Sequence, residues 1–185
     1  EGRTATAACW GALDPDTDIL YIYDEYMGRN QLASVNARAI NLKGFMKGVV
    51  DTSAFRKSPT EGLEVIQEYE NEGLDLVAAM KSVEPGIQAV WERLSTGRLK
   101  IFKTCYVHRA EYDVFHRDDR GEPVKTNIHM MDALRYLVYM IKMTNGSVLT
   151  PFEFTKNNRI LEEDYYDPQA SIISPSQGRN KITGY

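Results

Sequence analysis

The chain opens with small and apolar residues from Thr4 to Leu13, breaks at Asp14-Pro15-Asp16-Thr17-Asp18, and resumes a β-rich run at Ile19-Leu20-Tyr21-Ile22-Tyr23. Two β-forming runs around a Pro/Asp break predict an antiparallel hairpin. The period then changes: Leu32, Val35, Ala39 and Leu42 recur at helical spacing, with Asn30 as candidate N-cap. Phe45 to Val50 reads as a short buried strand ending in Asp51, followed by a loop from Thr52 to Pro59. A helix is expected from Glu61 to Glu72, closed by Gly73, and a strand from Leu74 to Ala78. Pro85 starts a helix that runs through Ile87, Val90, Trp91 and Leu94 to Gly97.

Leu99 to Lys103 alternates as a further strand. Tyr112 to Phe115 and Pro123 to Lys125 flank the turn Asp118-Asp119-Arg120-Gly121, which predicts a projecting β-hairpin. Ile128 to Met143 has the strongest helical period, with Met131, Leu134, Val138 and Ile141 on one stripe and Asn145-Gly146 as its stop. A hairpin followed by alternating helices and strands predicts an α/β domain, a mixed β-sheet flanked by helices. The domain is expected over 1–150. The period fades after Thr150, and Pro168 to Tyr185 is rich in Ser, Pro, Gly, Gln and Asn, so 151–185 is expected to be an extension that is flexible or orders on a partner.

With 185 residues, 43% of them hydrophobic, the chain can bury one ordinary core. A net charge of −4 provides no global basic field, so a nucleic-acid partner would need a local patch or bound metal ions. Cys9 and Cys105 lie far apart without metal-binding spacing and read as reduced core thiols. The absence of a long apolar run or a leader-like N-terminus predicts a soluble, intracellular protein with no membrane partner. No GxxxxGK[ST] phosphate loop and no recognisable nucleophile elbow occur, which leaves acidic chemistry.

Asp51 at a strand end and Asp132 in the first turn of the long helix can meet at one sheet edge. Carboxylate oxygens suit Mg²⁺ or Mn²⁺, and two such ions about 3.5–4 Å apart can activate water and stabilise a departing 3′-oxygen. On spacing alone the ordinary reading prevails, since an Asp ending a strand is usually a cap and an Asp in a first turn usually complements the helix dipole.

Three segments, Gly97-Arg98-Leu99-Lys100-Ile101-Phe102, Tyr112 through Gly121 to Lys125, and Asn127-Ile128-His129-Met130-Met131-Asp132-Ala133-Leu134-Arg135-Tyr136, occur in this order. Together they resemble the nuclease domain of tailed-phage large terminase subunits, most closely those of headful-packaging, short-tailed phages. The resemblance implies an RNase H-like fold and a two-metal endonuclease that cuts concatemeric double-stranded DNA during genome packaging. It implies Mg²⁺ or Mn²⁺ (two ions) as cofactors. The expected partners are double-stranded DNA, the terminase ATPase domain, the small terminase subunit and the portal protein, in the host bacterial cytoplasm and outside the mature virion.

The N-x-H-x-x-D-A-x-R-Y segment opens the family's last helix, so Asp132 maps onto its final metal-binding aspartate and Asp51 onto the strand-end acid. The family's first aspartate would fall just before residue 1, where Glu1-Gly2 and Thr4-Ala5-Thr6-Ala7 follow its pattern. A site with two of three carboxylates is expected to bind metal poorly and cleave slowly or not at all; Glu1 marks where the third would stand.

His129, one helical turn before Asp132, is a candidate to touch phosphate, orient a ligand or shuttle a proton, and is equally read as a capping residue. Asn127 is expected to be the N-cap, with Arg135 and Tyr136 as helix anchors. Glu25, Glu111 and Asp113 are read as surface acids or as support for a metal. Arg56 and Lys57 beside Asp51, with Arg117 and Arg120 in the hairpin turn, are the favoured DNA contacts, since such charges track phosphates without reading bases. Two rivals remain: a docking module for portal, motor domain or DNA, and an RNase H-like resolvase.

Overall fold

The computed structural model describes residues 5–44, 46–55, 65–124, 128–146 and 165–166. Strands β1 (Thr6–Asp14) and β2 (Ile19–Gly28) form the expected antiparallel hairpin, in register from Thr6 opposite Gly28 to Asp14 opposite Ile19, with a bulge at Trp10/Gly11. Asp14 shapes the turn by accepting the Asp16 amide at 2.9 Å and the Thr17 hydroxyl at 2.6 Å. Asp18 closes it with a positive φ of 54° and receives Arg93 at 2.8 Å and Arg98 at 2.9 Å.

β5 (Leu99–Phe102) lies parallel to β2, and β6 (Tyr165–Tyr166) pairs antiparallel with β5, giving the order β1-β2-β5-β6. β6 lies within the 151–185 extension; the rest of that extension is outside the described residues. β3 (Lys47–Val50) and β4 (Asp75–Ala78) form a separate parallel pair, with Val50 opposite Ala78.

Helices α3 (Val83–Ser95) and α5 (His129–Thr144) pack on each other and on the larger sheet. Their Val90, Leu94, Leu134, Val138 and Ile141 share one core with Leu20, Ile22, Leu99 and Ile101. The predicted stripe of α5 is thus its buried face, and burying each such side chain stabilises the fold by roughly 1.5–3 kcal/mol. A smaller core of Ala37, Tyr69 and Leu74 joins α1 (Ala33–Asn41), α2 (Val65–Asn71) and β4.

Three local expectations are corrected. Asn30 is not the cap of α1: it takes a left-handed φ of 55° in the preceding turn, and Leu32 holds the N-cap position. Tyr112 to Val114 are not a hairpin arm but the end of α4 (Tyr106–Val114), with Phe115 as its C-cap. The hairpin is shortened to 116–124, with Arg117 bridged to Pro123 and the Val124 amide donating to the His116 carbonyl at 3.1 Å. Finally, Ile128 rather than Asn127 stands at the N-cap of α5; Asn127 lies outside the described residues.

Both late helices instead borrow their caps from elsewhere. The Glu25 carboxylate on β2 accepts the Val107 amide at 2.7 Å and the His108 amide at 3.0 Å, satisfying the open end of α4. Glu111 on α4 then accepts the amides of Met130 and Met131 at 2.7 and 3.0 Å, satisfying the open end of α5. A carboxylate also complements the positive end of a helix dipole. Glu111 is buried, so its loss would leave those amides without a partner. Glu111→Ala is expected to lower stability by about 1–3 kcal/mol in urea unfolding followed by circular dichroism; an unchanged midpoint would show that the cap is dispensable.

Candidate metal and nucleic-acid site

The parallel pairing of β3 and β4 persists until the Ala79 amide donates to the Val50 carbonyl at 2.8 Å, so both chains leave the pair at the same edge. Asp51 is the first residue beyond β3. Its Oδ1 accepts the Ser53 amide at 2.6 Å, which starts the short 3-10 turn Thr52–Phe55, and lies 3.6 Å from Lys81 Nζ. Its Oδ2 accepts a short hydrogen bond from the Tyr136 hydroxyl.

Tyr136 sits one helical turn after Asp132 on α5, so this bond brings Asp51 to the stretch of helix that carries Asp132. Partial burial alone would raise the Asp51 pKa, but the bonds from Ser53 and Tyr136, helped by Lys81, outweigh it and lower the value to about 2.

Asp132 is held by its own helix. Arg135 Nη2 and Nε approach Asp132 Oδ1 at 2.7 and 3.2 Å, while the guanidinium lies 4.4 Å from the centroid of the Tyr136 ring. Arg135 is buried, and a Cβ placed on Gly86 of α3 would stand 2.7 Å from its Cγ, so a glycine is needed there for the arginine to fit. The other Asp132 oxygen takes no hydrogen bond from the described residues. The donor set thus offers two hard carboxylates, one clearly ionised, which suits a hard divalent cation.

The remaining candidates fall in different places. His129 opens α5 and is half-buried, without a hydrogen bond or ion pair among the described residues. Arg56 and Lys57 lie outside the described residues. Arg117 forks onto Glu84 at 3.0 and 2.9 Å, tying the hairpin turn to the first turn of α3, with both side chains exposed. Arg120 is exposed at the tip of that turn.

Glu25 and Glu111 are helix caps, and Asp113 is exposed on α4. Glu25, Cys105 and His108 also bring metal-capable atoms within 4.8 Å of one another; Glu25 is already bonded to His108, Cys105 Sγ lies 3.7 Å from the Ile22 carbonyl, and burial pushes the Cys105 and Cys9 thiols up to about 12.

Sequence reasoning does not single out Tyr136, Arg135, Lys81 or Ser53 as site residues. The i, i+3 spacing of Asp132 and Arg135 is a usable signal for their pairing. Nothing in the sequence marks the link from Tyr136 or Lys81 to Asp51, which is made by tertiary packing.

Over 62 residues, 34% of this chain, the sequence is 42% identical to the large terminase subunit of Enterobacteria phage LP7. Over 55 residues, 30% of this chain, it is 44% identical to that of Salmonella phage P22. The solved P22 large terminase nuclease domain matches the fold with a TM-score of 0.62 at 24% identity, covering 75% of this chain and 81% of that one. Over these segments the chain is similar to phage large terminases.

A solved large terminase from a thermophilic bacteriophage matches with a TM-score of 0.64 at 23% identity, over 75% of this chain and 36% of that one. The terminase resemblance and the RNase H-like α/β fold expected from the sequence are therefore both met. The matched segments make up 13% and 11% of the two curated terminases. No protein-family model matches the chain.

Because the folded-state pKa of Asp51, about 2, lies below its ordinary 3.8, its bonds add stability that is complete above 3.8 and is lost as pH falls through the folded value. Tyr136→Phe removes one of those bonds and should move the Asp51 titration up toward 3.8, read by carboxyl-carbon NMR. An unmoved titration would mean that Ser53 and Lys81 alone hold the carboxylate ionised.

Proposed function

We propose that this domain is a metal-dependent endonuclease that cuts concatemeric double-stranded viral DNA during genome packaging. The observation that carries this reading is the Tyr136 bridge, which brings Asp51 from a strand end to the turn of α5 that holds Asp132. Two carboxylates linked from distant parts of the chain, one held ionised at a low pKa by Ser53, Tyr136 and Lys81, offer hard oxygen ligands of the kind a divalent cation takes. Similarity to large terminases supports a packaging substrate.

Asp51 and Asp132 would hold Mg²⁺ or Mn²⁺, two ions in the full site, which supply activation of water and charge stabilisation at the leaving 3′-oxygen. Arg135 holds Asp132 in place, and Tyr136 holds Asp51 in place and helps keep it ionised. His129, one turn before Asp132, is assigned to orient a ligand or a phosphate at the same helix end. Arg120, with Arg56 and Lys57 that follow Asp51 in the sequence, would track the duplex backbone, so sequence preference should be weak. The working partners would be the terminase ATPase domain, the small terminase subunit and the portal protein, in the host bacterial cytoplasm. No helix among the described residues is long and apolar enough to cross a membrane.

Supercoiled plasmid incubated with the chain and Mn²⁺ or Mg²⁺ should be nicked and linearised. EDTA should abolish the reaction, and Asp132→Ala should reduce it at least about a hundredfold, as expected when a metal ligand is removed. A version extended upstream of Glu1 to include an aspartate should cut faster. Cleavage that survives EDTA, or none in either version, would contradict the nuclease reading and favour a docking module.

A further inference from the structure

We propose that Lys81 is a DNA-phosphate contact of this site, pairing with Asp51 until that carboxylate takes a divalent cation and then turning to the backbone of the bound duplex. The inference rests on the nuclease reading above and adds a contact outside every segment that carries the terminase resemblance.

The placement follows from topology. β3 and β4 run parallel with Val50 opposite Ala78, and the Ala79 amide binds the Val50 carbonyl, so the residues just past both strands emerge at one edge. Asp51 is the first residue past β3 and Lys81 the third past β4, and Lys81 Nζ stands 3.6 Å from Asp51 Oδ1. That separation is longer than a direct N–H···O hydrogen bond, roughly 2.7–3.2 Å. The Lys81 side chain is 49% exposed, so the ammonium is held loosely at the end of a flexible stem.

Two arginines among the described residues are engaged in other pairs. Arg135 is buried and locked onto Asp132, and Arg117 is forked onto Glu84. The partner of Lys81 differs in kind, because Asp51 is itself a proposed metal ligand. Once Asp51 shares its oxygens with a divalent cation, the ammonium loses its attraction there and meets like charge. A strongly hydrated point charge released beside the reacting carboxylates is suited to a phosphate oxygen, which needs no fixed fork geometry. Pairing before DNA arrives also limits repulsion between Asp51 and the incoming phosphates.

The test measures binding of a short DNA duplex to the whole chain by fluorescence anisotropy, with Ca²⁺ replacing Mg²⁺, across roughly 50–200 mM salt. Lys81→Ala is expected to weaken binding roughly three- to tenfold and to reduce the slope of log affinity against log salt by about one, with Lys81→Arg restoring both. Calorimetric Mn²⁺ affinity of Lys81→Ala should equal or exceed that of the unaltered chain, because a competing cation has left Asp51. An unchanged salt slope in Lys81→Ala, with the unaltered chain binding DNA normally, would overturn this inference alone. An unaltered chain with no cation-dependent DNA binding would overturn it together with the nuclease reading.

Discussion

The hydrogen bond from Tyr136 to Asp51 joins two parts of the fold that the backbone leaves separate. β3 and β4 are not hydrogen-bonded into the four-stranded sheet; α5 packs against both β1 and β3. The position of Asp51 relative to Asp132 therefore depends on how α5 is seated and on which side chains it sends toward the small parallel pair. Tyr136 makes that link with a polar group that needs a partner when partly buried. Its ring also carries the Arg135 guanidinium on one face, so a single aromatic side chain is shared by both carboxylate anchors.

The seating of α5 in turn depends on buried carboxylates acting as caps. Neither α4 nor α5 has a side-chain cap bond at its own N-cap residue, Cys105 or Ile128. Glu25 serves α4 and Glu111 serves α5, which ties the central hairpin to α4 and α4 to the helix that carries Asp132. The last helix can thus begin with apolar residues, Ile128, Met130 and Met131, all buried, because its open amides are met from outside. Charge-assisted bonds to backbone amides are among the stronger hydrogen bonds, so this arrangement fixes the helix start as well as stabilising it.

What the sequence revealed follows the range of the interactions involved. Strong periods gave β1, β2, β5 and α5, and the stop of α5 at Asn145-Gly146 was legible because Asn145 takes the left-handed conformation that asparagine and glycine tolerate. The β-rich look of Tyr112 to Phe115 misled because the cap of α4 comes from Glu25, more than eighty residues earlier. Asp51 and Asp132 were proposed from a strand-end position and a helix motif. Their supports were hidden: Arg135 and Tyr136 read as anchors of the helix, whereas the structure shows that what they anchor is the carboxylate pair. Lys81 carried no local signal, since its relation to Asp51 arises only when two parallel strands end together.

The central claim is that Asp51 and Asp132 act as one cation site, and a double-mutant cycle on Mn²⁺ affinity tests it most directly. Calorimetry would compare the unaltered chain, Asp51→Asn, Asp132→Asn and the double variant. If the carboxylates share a cation, either single change should remove most of the binding and the double change should add little, leaving a large coupling between them. Effects that simply add would mean two independent weak sites and would contradict the account.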